Sequence, residues 1–449
     1  MELIDIWGKT DPFVPLIHHL IDTGCVAKVL LETPSYQGLL DRFKLTSGYL
    51  GDDPSTWLAL LCSLHDIGKC HPLFQSKGDL PQLEEWRQRG WIPSRKATLN
   101  YHIHHESYGG DWLFDYLEED LGWTRENVRV ISSAVRGHHG SFVVADIEMP
   151  QLAERLWAEK RRELAQTLIS LFTPTLAKSD IAVPTDSSAF GVMLAGLMVL
   201  SDWISSNPDV FLRPPAVGCL KQYHELSLTS ARQAMKTLGF EQQIDWPEES
   251  RFATIFRQTF SSLRPVQEAC EQLTLGQLPG GLVIIEAPMG QGKTEAALLV
   301  AAHWIQSLGL QGLYFALPTE ATSNQMYGRV AEVLRRVGGT GLIKLVHGRS
   351  WLMDDVAAQI GADVAKESVD WFSPKKRALL APYGVGTVDQ ALLAVLNVKH
   401  GFLRLFGLAG KVLVIDEVHA YDVFMSEILH MLLSWCRVLG TPVLLLSAT

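Results

Sequence analysis

Cysteine is scarce and unpatterned in this sequence. Six cysteines stand singly at positions 25, 62, 70, 219, 270 and 436 of 449, none in a Cys-x-x-Cys pair. That spacing argues against a zinc ribbon and a disulfide framework, and a reducing, cytoplasmic setting is expected. The N-terminus, Met1-Glu2-Leu3-Ile4-Asp5, lacks the basic stretch and apolar run of a signal peptide. Long hydrophobic runs are missing too. The longest, Phe190 to Leu200, is too short to span a bilayer and Asp202 follows closely, so a soluble protein with no membrane partner is expected. There is no low-complexity tract and no internal repeat. An excess of basic charge is also absent, with 39 Lys and Arg against 49 Asp and Glu and a net charge of −10. That total neither advertises nor excludes nucleic-acid binding, because phosphate contacts need only a local basic channel.

What is present is ordinary globular material, 47% hydrophobic and 20% charged. The length allows two or three domains. Up to about residue 206 the pattern is helical, as in Trp57–Leu64, Asn127–Val135 and Ala189–Ile204, and strand-like alternation is rare. Asn207-Pro208 and Arg213-Pro214-Pro215 punctuate the chain there, and 216–260 reads as a helical connector. From about residue 280, short apolar runs alternate with helical segments: Gly281–Glu286, Gly312–Leu317, Leu342–Val346, Val412–Ile415 and Pro442–Leu446. Such alternation predicts βαβ units and a mainly parallel sheet, with ligands at the carboxyl ends of its strands. The expected fold is therefore an all-α domain followed by an α/β P-loop domain. The chain stops at Ser447-Ala448-Thr449, directly after a predicted core strand, which leads us to expect a truncated or split protein.

Ala287-Pro288-Met289-Gly290-Gln291-Gly292-Lys293-Thr294 follows a predicted strand and opens a predicted helix, the context of a P-loop. Gly290 and Gly292 let backbone N–H groups approach phosphate, Lys293 is placed to reach the outer phosphates of ATP, and Thr294 to hold magnesium. Asp416-Glu417-Val418-His419 ends the apolar run Val412–Ile415. A carboxylate there is costly unless it faces a cation, so Asp416 is expected on the magnesium and Glu417 beside the attacking water. The order of the weaker fragments is informative: Gln267 after Arg264-Pro265, then the P-loop, Pro318-Thr319, Gly386-Thr387, the Asp416 motif and Ser447-Ala448-Thr449. In this order they resemble the motif series of superfamily 2 helicases, which implies that Gln267 reads adenine.

The helical half holds a different chemistry. His65-Asp66-Ile67-Gly68-Lys69 follows an apolar helix, and an imidazole beside a carboxylate suits a divalent ion. Further histidines cluster as His18-His19, His102/His104/His105 and His138-His139. A lone histidine is more often a satisfied core or surface group, but these clusters flank helix ends. Asp202 lies in an apolar helix, where an ionised carboxylate is expensive unless paired or metal-bound. In a two-ion centre one ion would activate water and the other stabilise the leaving oxygen of a phosphodiester. Asp66 is expected to bridge the ions and Lys69 to offset charge in the transition state.

With these motifs in view, the chain resembles the CRISPR-associated helicase-nucleases of type I interference systems over nearly its whole length. The resemblance rests on His19-Leu20-Ile21-Asp22-Thr23, His65 to Lys69, His105-Glu106-Ser107, Gly137-His138-His139-Gly140, Ser201-Asp202-Trp203, Leu317 to Met326 and Asp416 to Asp422. It implies an HD-type nuclease domain over 1–210, a connector over 211–260 and the first RecA-like motor domain over 261–449. It further implies that His19, His65, Asp66 and Asp202 hold one ion, and that Asp66, His105, His138 and His139 serve the second. His19 over His18, and His105 over His102 or His104, follows from the neighbouring residues alone. The metals implied are iron(II), manganese, cobalt or nickel. The partners implied are single-stranded DNA, displaced in the R-loop of the Cascade surveillance complex, and Cascade itself. Family members nick that strand and degrade it while translocating 3′ to 5′. Their second motor domain, with its arginine finger, is not in these 449 residues. The chain alone is therefore expected to keep the nuclease and not the translocation, unless a partner chain supplies the second motor. The rival readings are an HD phosphohydrolase acting on nucleotides, a non-catalytic fragment that docks on Cascade, and an RNA helicase.

Overall fold

The computed structural model describes residues 1–33, 36–47, 49–50, 53–98, 104–140, 153–172, 181–182, 187–241, 244, 246–256, 262–337, 343–346 and 378–448. His102, Leu342 and Thr449, which figured in the sequence reading, lie outside them. By contact the chain forms two compact units, one of Met1–Leu30 with Ser47–Ala234, the other of Leu31–Thr46 with Met235–Thr449. The connector helix Leu220–Thr237 thus falls mostly in the first unit.

The first unit is helical, apart from two two-stranded pieces: Trp7–Thr10 with Phe13–Pro15, and Tyr49–Leu50 with Ile181–Ala182. Its principal helices are α1 (Leu16–Glu32), α2 (Pro54–Ser63), α3 (His105–Asp115), α4 (Arg125–Gly137), α5 (Glu154–Phe172), α6 (Ser187–Ser205) and α7 (Leu220–Thr237). Helix α2 starts where Asp53 accepts from Thr56 N at 3.2 Å and Pro54 takes the first turn. A proline costs nothing there because the first N–H groups have no intrahelical partner. Every residue of α2 except Pro54 is buried, and it runs straight into the 3₁₀ turn Ile67–Lys69. Helix α4 buries Val128, Ile131, Ala134 and Val135 and delivers His138 at its C-cap.

Helix α6 outruns the apolar run seen in the sequence. The stretch Ser188–Ser205 is long and apolar enough to cross a membrane, but 78% of it is buried inside the protein. It is the core helix of this unit, and Asp202 sits in its last turn.

The second unit is built on a six-stranded sheet whose pairings are all parallel. Its strands are β1 (Leu282–Glu286), β2 (Gly312–Leu317), β3 (Ile343–Val346), β4 (Tyr383–Thr387), β5 (Lys411–Ile415) and β6 (Val443–Ser447), arranged β1-β6-β5-β2-β4-β3. Helix α8 (Pro265–Leu275) precedes β1, α9 (Lys293–Ser307) joins β1 to β2, α10 (Glu320–Arg336) follows β2, and α11 (Val423–Val438) joins β5 to β6. Strands β2 and β5 are buried along their whole length, which explains the apolar runs Leu313–Leu317 and Val412–Ile415 within them. The strand β4, Tyr-Gly-Val-Gly-Thr, is one the apolar-run criterion passed over. Its glycines break the hydrophobic signal although all five residues are buried.

Candidate metal centre and nucleotide cleft

In the first unit, four separate chain segments converge on Asp66. Its Oδ2 lies 3.1 Å from His19 Nε2, on α1, and 3.3 Å from His65 Nε2. Its Oδ1 lies 3.1 Å from His105 Nε2, the first residue of α3, and 3.5 Å from His138 Nε2. Asp202 Oδ1, from α6, stands 3.4 Å from His19 Nε2 and 3.8 Å from His65 Nε2. The Nε2 atoms of His139 and His105 are 2.9 Å apart. The donor atoms fall into two groups, His19/His65/Asp202 and Asp66/His105/His138/His139, each with all its atoms within 4.8 Å of one another.

Local structure explains why these side chains aim inward. His65 Nδ1 donates to Cys62 O at 2.9 Å and His138 Nδ1 to Val135 O at 2.5 Å, which leaves both Nε2 atoms unprotonated toward the centre. A ring held this way through its second nitrogen is the usual setting of a metal-ligating histidine. Gly68 lets α3 close on the turn after Asp66. A Cβ there would collide with His105 O and stand 2.7 Å from Gly109 N. Of the paired histidines, His18 turns away and stacks on Tyr223 at 3.8 Å, and His104 pairs with Glu106 at 3.1 Å. Asp202 is less enclosed than its apolar neighbours suggest, with 25% of its side chain exposed. Ser206 Oγ donates to its Oδ1 at 2.9 Å. Lys69 forms an ion pair with Asp66 itself.

The electrostatics match this geometry. Burial lowers the His19 pKa to about 4, against the pull of Asp66. Burial, with His138 and His105 nearby, lowers that of His139 to about 4. Burial alone would raise Asp66, but Lys69, His65 and the facing imidazoles of His105 and His138 hold it well below the ordinary carboxylate range. Burial is likewise outweighed at Asp202, which His19 and His65 bring to about 2. At His65, by contrast, burial is outweighed by Asp66 and Asp202, which raise its pKa. The ionised carboxylates and the lowered His19 and His139 are in the states that metal ligation requires. His65 Nε2, His138 Nε2 and Asp66 Oδ1 are buried without a hydrogen-bond partner, although each is within 3.5 Å of another donor atom of the set. Buried polar atoms left unpaired are costly, and a shared cation satisfies all three. The residues therefore fit divalent metal ions.

In the second unit, a cleft of about 940 Å³ opens at the carboxyl ends of β1 and β5. The loop after β1 turns through Gly290 (φ 76°) and Gly292 (φ 80°), left-handed conformations that favour glycine. It then enters α9 at Lys293. Lys293 Nζ is folded over this loop, donating to Ala287 O at 2.5 Å and Pro288 O at 3.3 Å. Gln267, on α8, accepts from Arg264 N at 3.1 Å and packs its amide against Gly292, where a Cβ would collide with it. Asp416 Oδ1 accepts from Glu417 N at 2.9 Å, and burial, reinforced by Glu417, raises the Asp416 pKa. His419 Nδ1 accepts from Ala448 N at 3.1 Å, so its Nε2–H is left to donate to Glu417 Oε2 at 3.2 Å. One imidazole thereby joins Ser447-Ala448 to Glu417.

Several cleft residues carried no motif. Gly328, Arg329, Glu332 and Arg336 line it beside Gln325 from one stripe of α10, and Phe256 closes one side. Arg329 Nη1 donates to Thr294 Oγ1 at 3.4 Å and pairs with Glu295. The helical spacing of this polar stripe was the available signal.

Residues 7–211 match the family model described as "Cas3, HD domain", and 264–449 match "DEAD/DEAH box helicase". Over 99% of its length the chain is 37% identical to the CRISPR-associated endonuclease/helicase Cas3 of Thermus thermophilus. The chain belongs to the Cas3 family. The crystal structure of T. fusca Cas3-ATP superposes on 99% of it with a TM-score of 0.85 at 32% identity. A chain of a CRISPR RNA-guided surveillance complex, pre-nicking, superposes on all of it with a TM-score of 0.69 at 30% identity. The chain spans about half the length of these relatives: 49% of the Thermus protein and 50% and 48% of the two structures. The helical HD unit and the RecA-like unit with its parallel sheet are thus both those of Cas3.

Proposed function

We propose that the chain is the nuclease half and first motor domain of a type I CRISPR interference enzyme. It cuts the single DNA strand displaced in a Cascade R-loop, in a cytoplasmic setting that its six free thiols suit. The observation that carries this is Asp66, whose two carboxylate oxygens each face a separate group of histidines. His19, His65 and Asp202 with Asp66 hold one ion, and His105, His138 and His139 with Asp66 the other; manganese, iron(II), cobalt and nickel suit this donor set. Divalent ions at such a pair supply Lewis acidity and a nucleophile at neutral pH. The protein lowers the pKa values of His19, His105 and His139 by burial, orients His65 and His138 through Cys62 O and Val135 O, and balances the carboxylates with Lys69.

In the second unit, Gln267 reads adenine and the Gly290–Thr294 backbone with Lys293 takes the phosphates of ATP. Thr294 and Asp416 face magnesium, and Glu417 activates water. Hydrolysis and 3′ to 5′ movement then require a second motor domain, from the rest of a longer chain or from a partner. The test is cleavage of circular single-stranded DNA by this chain in manganese or cobalt without ATP, beside His65→Ala/Asp66→Ala. Cleavage by the unaltered chain alone supports the assignment. Equal cleavage by the double variant, or preferential hydrolysis of mononucleotides, overturns it.

A further inference from the structure

The sequence reading gave no role to the N-terminal hairpin, Trp7–Thr10 with Phe13–Pro15, yet it is fastened to the metal centre. The Gln75 amide, fully buried, accepts from Trp7 N at 3.1 Å and donates to Trp7 O and Lys69 O, both at 2.9 Å. Trp7 Nε1 returns a bond to Gln75 O at 2.9 Å. One glutamine therefore joins the hairpin to the turn that carries Asp66 and Lys69. On the other side, Gly8 packs on α1, where a Cβ would stand 3.1 Å from Leu16 Cα and 3.4 Å from His19 Cβ. The strand is bulged at this point: Trp7 pairs with Pro15 but Lys9 with Val14. A bulge re-aims the side chain that follows it and is a recurrent device beside active sites.

The side chain so placed is that of Lys9. It is half-buried and makes no ion pair or hydrogen bond among the described residues. The charges that act on it are those of Asp202, Arg213, Lys69 and Asp66, and burial, the dominant influence, lowers its pKa. Lys69, the other lysine at the centre, is already engaged by Asp66. A partly desolvated ammonium with no direct ion pair or hydrogen bond is a costly arrangement unless an anion completes it.

We propose that Lys9 is a substrate contact of the metal centre and takes a non-bridging oxygen of a DNA phosphate at or next to the scissile bond. This rests on the nuclease reading above. In it Gln75 is a positioning residue, which acts only by holding the hairpin against the turn.

The experiment compares the unaltered chain with Lys9→Ala and Lys9→Arg by three measurements. They are manganese binding by calorimetry, cleavage of single-stranded DNA, and the salt dependence of binding a labelled oligothymidine in EDTA. For Lys9→Ala, kcat/KM falls on the order of 100-fold, while the affinity and stoichiometry of manganese are kept. The plot of log affinity against log salt becomes shallower by about 0.7, the loss of one phosphate contact on a single strand. Lys9→Arg recovers part of both. Unaltered cleavage and salt slope in Lys9→Ala overturn the proposal. Loss of manganese together with cleavage overturns it as well, because Lys9 would then act through the centre and not on the substrate. If the unaltered chain cuts nothing, it is the nuclease reading that fails, and the salt slope alone decides the role of Lys9.

Discussion

At Asp66 the two carboxylate oxygens have different neighbours, His19, His65 and Lys69 on Oδ2, and His105 and His138 on Oδ1. A group shared in this way ties the two donor sets together, so removing it affects both. Asp66→Asn is expected to abolish tight manganese binding at both positions, read as a fall in calorimetric stoichiometry. Two ions bound with undiminished affinity would refute the bridging assignment. Gly68→Ala gives a contrasting result. The added methyl has backbone neighbours on α3, with Gly109 N at 2.7 Å, so α3 must move and take His105 with it. Overpacking of this kind costs about 1–3 kcal/mol. The variant should weaken the ion of the His105 set and spare that of the His19 set, leaving one tight and one weak step in a manganese titration.

At the scale of elements, three helix starts have a local cause in a capping side chain. Asp53 caps α2, Asp422 caps α11 through Met425 N at 2.8 Å, and Thr319 with Thr322 forms a capping box at α10. The exception in local logic is Lys411, a fully buried lysine in β5. It donates to Ala381 O at 2.6 Å and to Leu379 O, closing the turn Ala378–Leu380 onto the sheet. Burial lowers its pKa from 10.5 to about 7. Between those values the unfolded chain binds the proton more tightly than the folded one, so this group makes stability rise with pH. The slope from one such group is at most about 1.4 kcal/mol per pH unit. Chemical denaturation of the unaltered chain and of Lys411→Met at pH 7 and pH 8.5 checks this. The stability difference between them should shift with pH in favour of the unaltered chain, and a pH-independent difference would count against the depressed pKa.

At the scale of the whole molecule, the candidate metal centre lies entirely in one compact unit and the nucleotide cleft entirely in the other. Each site draws all its described residues from one unit. Lys293→Ala should therefore abolish retention of a fluorescent ATP analogue while leaving metal-dependent cutting of single-stranded DNA without ATP within about two-fold, well under the ~10-fold that 1.4 kcal/mol represents. Cleavage that vanished with the P-loop lysine would show that the centre depends on the motor.

Much of this was legible in the sequence. The P-loop declares itself because strand, glycines, lysine and helix are contiguous, and His65-Asp66 because both donors share one turn. The parallel sheet shows in apolar runs such as Val412–Ile415, since a strand buried on both faces needs no alternation. All of these are determined within a few residues of chain. What lies between distant segments was left to the tertiary structure. His19 and Asp66 are 47 positions apart, and only the packing of α1 on the turn after α2 turns His19 inward while His18 meets Tyr223. Adjacent residues on a helix point about 100° apart, so which of two neighbouring histidines faces the centre is decided by what the helix packs against. The strand β4 was hidden because its burial comes from its neighbours and not from its own hydrophobicity. Lys9 was silent for the same reason: a lysine acquires meaning only from the carboxylates, bulge and clamp that the fold assembles around it.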